Sequence, residues 1–169
     1  MARLVAGMGT SHVPGVGAAM DNGKTDEPYW AELFAGFAPL RAWHAENVPD
    51  VTIVVFNDHA TSMALNHYST FMMGVGESFQ PADEGWGPRK VPIVEGHPEL
   101  AWHLVESLIL DEFDMAVTAD FDVDHAQAPW MASPFSAGAR AAQVSFSREQ
   151  RDSQRGMERT QKCAAAARL

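Results

Sequence analysis

The stretch Asp50-Val51-Thr52-Ile53-Val54-Val55-Phe56-Asn57-Asp58-His59-Ala60 divides into a β-branched, almost wholly apolar run and a polar end. A run from Val51 to Phe56 without polar alternation predicts a strand buried on both faces. His59 stands just past it. A shorter apolar run, Leu4-Val5-Ala6-Gly7-Met8, predicts a second strand, and His12, within Gly9-Thr10-Ser11-His12-Val13-Pro14, stands just past that. Met115-Ala116-Val117-Thr118-Ala119 is a weaker third candidate.

Helical spacing fills the intervals. Trp30, Leu33, Phe34, Phe37 and Leu40 recur at that spacing after Asp26-Glu27-Pro28, with Pro28 suited to a first turn and Pro39 set to kink or divide the helix. A clearer helix runs from about His97-Pro98 to Glu112. Its stripe is Leu100, Ala101, Leu104, Val105, Leu108 and Ile109, with Glu99, Glu106 and Asp111 off it. This alternation of strands and helices is that of an α/β fold, in which ligands gather beyond the carboxyl ends of strands. His12 and His59 are therefore read as two ligands of one metal. Imidazole suits iron and other first-row metals, and a non-haem Fe(II) site usually adds a carboxylate.

Composition narrows the field. The chain has 169 residues, 46% apolar and 20% charged, enough for one domain with a real core or for part of a larger one. No apolar stretch reaches the length of a membrane span, and the N-terminus lacks a secretory signal. The single cysteine, Cys163, excludes an intrachain disulfide framework and reads as an exposed thiol, so the cytoplasm is the expected compartment. A formal charge of −10 argues against a nucleic-acid binder. The glycines between 74 and 98, a loop-rich stretch of the functional or mobile kind, fit no phosphate-binding fingerprint.

Charge is unevenly spread. Residues 1–125 hold 5 Lys and Arg against 19 Asp and Glu, whereas residues 126–169 hold 7 against 3. The domain is accordingly expected to span 1–125, with 126–169 an unrelated Arg/Ala/Gln/Ser-rich tail that is helical or disordered. Either an out-of-frame continuation or a new C-terminus explains such a tail.

Six segments together resemble the class III extradiol ring-cleavage dioxygenases. They are Thr10-Ser11-His12-Val13-Pro14, the stretch from Asp50 to Ala60, Ala82-Asp83-Glu84-Gly85-Trp86-Gly87-Pro88-Arg89, Gly96-His97-Pro98, Leu108 to Asp114, and Asp122-Val123-Asp124-His125. The likeness is to the catalytic beta subunit of protocatechuate 4,5-dioxygenase and to gallate dioxygenases, in order across residues 1–125. It implies the N-terminal part of that α/β fold, with a mainly buried sheet and flanking helices. It also implies Fe(II) held by His12 and His59, and His125 as an acid–base group. Asn57 and Asp58 would be groups orienting a ligand ring or a bound oxygen. The substrates implied are a catechol-type aromatic acid and O2, and the partners a small alpha subunit and further copies of the chain.

The family pattern stops after His125. Its glutamate ligand and second acid–base histidine have no counterpart, because no histidine follows His125 and the only later glutamates are Glu149 and Glu158. Two other readings follow. One is a non-catalytic, truncated remnant that oligomerises or binds a partner; the other is a fragment that takes its glutamate from another subunit. Asp83 and Glu84 read as a solvated acidic loop sooner than as a replacement ligand. His44, His67, His97 and His103 read as surface, cap or helix residues, and Trp30, Trp86 and Trp102 as packing groups.

Overall fold

In the computed structural model, residues 3–10, 13–57, 69–85, 87, 91–125 and 140–146 are described. The strand expected over Val51–Phe56 forms as β1, Val51–Asn57, and the weaker candidate as β5, Met115–Thr118. Two further strands complete a four-stranded sheet: β2, Phe71–Gly74, and β6, Arg140–Phe146, in the order β1-β6-β2-β5. β6 runs parallel to β1 and antiparallel to β2, while β2 and β5 are parallel. The architecture is α/β with a mixed sheet. The strand at 140–146 lies in the tail expected to be helical or disordered, and the helix-prone segment 147–168 lies outside the described residues.

Burial in the sheet is graded. β2 is buried along its whole length, whereas β1, an edge strand, fully buries only Phe56 of its described side chains and leaves Val55 54% exposed. The expectation of burial on both faces is therefore not met along β1, which ends the row of described strands and has only partly buried residues from Val51 to Val54. β1 still alternates as a strand must. Ile53 packs with Met73, Val75, Ala101 and Val105, while Val54 and Phe56 join Phe79, Phe121 and Val123 on the opposite face.

The first of those faces is covered by α4, Pro98–Leu110. Ala101, Val105 and Leu108 form its buried stripe, with Leu104 partly buried beside them, as the spacing predicts, but Ile109 and Trp102 are exposed. Pro98 occupies the first turn, where its missing N–H costs nothing. His97 caps that turn, its Nδ1 accepting from the Leu100 N–H at 3.3 Å. The other end closes by a paired reversal, Glu112 N–H to Ile109 O and Phe113 N–H to Leu108 O, with Glu112 at φ 65°.

The N-terminal third differs from expectation. Residues 3–10 form no strand, and Leu4 is 60% exposed; Gly7 and Gly9 weaken the run through backbone entropy and absent side chains. A helix the periodicity does not announce, α1, Pro14–Asp21, follows His12 instead, with Pro14 in its first turn. The aromatic spacing beyond it is helical and divided as Pro39 predicts, into α2, Ala31–Gly36, and α3, Ala38–Glu46, though Pro28 lies in the turn before α2. Trp30 and Phe37 pack around Phe34, Val16 and Ala19. Among the described residues no helix is long and apolar enough to cross a membrane.

His44 is a helix residue, on α3, and is buried. Desolvation holds its imidazole below the ordinary histidine value. The unfolded chain then takes up the proton first, so the stability due to neutral, buried His44 is intact above about pH 6.5 and is lost as the pH falls toward its folded value. Urea midpoints measured at pH 7.5 and 5.5 should fall more in the wild-type chain than in His44→Leu. Equal falls would remove His44 as the cause.

Candidate active site

β2 and β5 are short, but the segments leaving their carboxyl ends stay in register. Val75 N–H donates to Thr118 O at 2.8 Å. Further on, Val123 N–H donates to Gln80 O at 2.7 Å and Ala82 N–H to Val123 O at 2.9 Å, forming a parallel bridge between Pro81 and Val123. Three residues past Pro81 stands Glu84; two past Val123 stands His125. The bridge thus delivers both side chains to one place, where His125 Nδ1 lies 2.5 Å from Glu84 Oε1. The two side chains are only 8% and 10% exposed.

A turn aims Glu84 inward. Asp83 Oδ1 accepts from the N–H groups of Gly85 and Gly87, each at 2.9 Å, and both glycines adopt positive φ, 105° and 92°. Asp83 itself is exposed. The reading of 83–84 as a solvated acidic pair therefore holds for Asp83 and fails for Glu84. The signal was present in Asp83-Glu84-Gly85-Trp86-Gly87: an aspartate with glycines two and four residues on can spend its carboxylate on the turn, leaving the next one to face the other way.

The same region reaches back to β1. Phe121 stacks on Phe56 with ring centroids 6.2 Å apart and touches Phe79 at 4.7 Å, and Val123 belongs to the same cluster. Phe56 is the penultimate residue of β1, so Phe121 and Val123 pack beside the strand end that precedes Asp58 and His59 in sequence. Asp124, next to His125, is fully buried.

Of the expected site residues, His125 is thus buried in a structured polar pair. His12, Asp58 and His59 lie outside the described residues, as does the side chain of Asn57, whose backbone ends β1. Because residues 3–10 form no strand, His12 follows no strand end. The sheet register also sets the end of β1 level with the start of β2, Asn57 through Phe146 to Phe71, so the strands do not share one carboxyl edge. His97 is a helix cap and His103 an exposed helix residue, as expected; His67 and Trp86 lie outside the described residues.

Residues 6–131 match the family described as the catalytic LigB subunit of aromatic ring-opening dioxygenase. The chain belongs to this family. Over 44 residues it is 50% identical to a gallate dioxygenase of Pseudomonas putida, a stretch that is 26% of this chain and 13% of that protein. The chain therefore matches only a small part of that relative's length. The LigB match includes the Glu84–His125 pair, the β1 end and both candidate ligand histidines.

For a metal, the described residues offer little on their own: no three His, Cys, Asp or Glu side chains among them gather as a cage. Glu84 turns one carboxylate oxygen to His125, and its other oxygen, Oε2, is buried without a hydrogen-bond partner among the described residues. By donor chemistry, the imidazoles of His12 and His59 suit iron(II).

Proposed function

We propose that the chain is the N-terminal part of an Fe(II)-dependent extradiol dioxygenase, opening the ring of a protocatechuate- or gallate-type catechol with O2. The observation that carries this reading is the buried His125, hydrogen-bonded by Glu84 and two residues past Val123, which packs with Phe56 of β1, within the segment that matches a ring-opening family. The gallate dioxygenase likeness supports the substrate class.

In this reading His12 and His59 hold the iron. When bound, iron(II) acidifies the hydroxyls of an aromatic diol and gathers diol and oxygen at one centre. Ring opening next to the hydroxyls places both oxygen atoms of O2 in the product, a semialdehyde-type acid for protocatechuate, and consumes no external reductant. The protein's own part is to move protons. His125 takes a proton from a substrate hydroxyl and returns it as the ring opens. Asn57, the last residue of β1, and Asp58, next to it in sequence, orient the ligand.

A small second subunit and further copies of this chain are the partners the reading calls for. The outermost of the described strands carry exposed valines, Val55 on β1 and Val117 on β5, which favours self-association. The same feature is what a non-catalytic, oligomerising remnant would show. Anaerobic reconstitution of the full chain with Fe(II), then addition of protocatechuate or gallate in air, separates the two. One O2 consumed per ring-fission product supports the enzyme. A metal-free oligomer with no oxygen uptake overturns it in favour of the remnant.

A further inference from the structure

We infer that Glu84 is a positioning residue that fixes which nitrogen of His125 carries the proton. This rests on the reading of His125 as the acid–base group. Three observations carry it. First, the Glu84 carboxylate faces Nδ1 at 2.5 Å, and neither side chain has appreciable access to solvent. A carboxylate so placed is costly unless it accepts a hydrogen bond, and an ionised carboxylate can only accept. In the neutral imidazole the proton must then sit on Nδ1, which makes Nε2 the proton-accepting nitrogen.

Second, the geometry is imposed by backbone on both sides. The Pro81–Val123 bridge fixes the spacing of the two segments, and the Asp83 turn with its two positive-φ glycines commits Glu84 inward. Third, Phe121 and Val123 are packed into the aromatic cluster, so the backbone that carries His125 is held in place opposite Glu84. A carboxylate behind a histidine does the same in hydrolase triads, where it selects the productive tautomer without touching the substrate. Glu84 acts through His125 in the same sense.

The test is the ¹⁵N spectrum of the histidine ring nitrogens in the full chain at alkaline pH, with His125 assigned by its loss in His125→Gln. The wild-type chain should show the proton on Nδ1. In Glu84→Ala the ring should move toward the Nε2–H tautomer that free histidine prefers, with Glu84→Gln in between because its amide oxygen still accepts. In the iron-loaded protein, kcat for ring opening should fall by about 10²-fold in Glu84→Ala with KM nearly unchanged, and Glu84→Gln should recover part of the loss. A wild-type His125 with its proton on Nε2 overturns the inference without any variant, and so does an unchanged tautomer in folded Glu84→Ala. Tautomers that behave as expected in a chain that opens no ring uphold the role of Glu84 in fixing His125 and overturn the dioxygenase reading alone.

Discussion

His125→Gln in the iron-loaded chain is expected to lower the turnover of ring opening by about 10²- to 10⁴-fold, the range typical of losing a general acid–base group. Glutamine is the informative replacement because its amide N–H can still donate to Glu84, so the buried carboxylate keeps a partner. An amide cannot relay a proton at neutral pH. Chemistry is thereby removed while the polar contact remains. Alanine would mix two effects, since it would leave the Glu84 carboxylate buried and unpaired, a change that typically costs about 3–5 kcal/mol. The measurement is kcat from oxygen uptake at saturating substrate, normalised to bound iron. Iron content should be unchanged if His12 and His59 hold the iron as proposed, since both are untouched. A glutamine variant within a few-fold of wild type would exclude His125 from proton transfer.

How far the sequence disclosed this arrangement differs from element to element. The β-branched run at 51–56 and the apolar stripe of α4 are long enough for periodicity to speak, and both elements are where the pattern puts them. Pro39 also divides α2 from α3 as its missing N–H requires. β2 was not legible because four residues buried on both faces have no alternation to read. Leu4–Met8 misled for the opposite reason. Its composition suits a strand, yet a strand exists only where another strand accepts its hydrogen bonds, and pairing is a property of the whole sheet. At the candidate site, His125 was singled out by the resemblance carried in Asp122-Val123-Asp124-His125, whereas Glu84 was not, because burial of one carboxylate in an acidic loop depends on a contact 41 residues away.

Alanine at Gly96 or Gly76 should be among the most destabilising single-methyl additions in the described fold. A Cβ on Gly96 would lie 2.1 Å from Gly76 O, and one on Gly76 would lie 2.2 Å from Ala119 O. In each case the obstacle is backbone, which cannot rotate away as a side chain tip can. Neither glycine has a positive φ, so the requirement is for space alone. The close approaches hold together the segments that leave the central sheet. Gly96 N–H donates to Glu77 O at 2.7 Å beside the small β3–β4 pair, Ser78–Phe79 with Val94–Glu95, and Val75 N–H reaches Thr118 O next to Gly76. Overpacking of this kind costs about 1–3 kcal/mol, and relief requires strands to part. Urea midpoints should drop in both variants. Gly36→Ala is the control: nothing lies within 4 Å of its added methyl, and at the end of α2 alanine should be neutral or stabilise by up to about 1 kcal/mol. Because Gly76 precedes the Gln80–Ala82 segment that registers Glu84 against His125, its variant should also loosen that pair and shift the His125 tautomer. A Gly76→Ala protein as stable as wild type would mean that the β2 and β5 exits do not approach as closely as the placement of Glu84 and His125 requires.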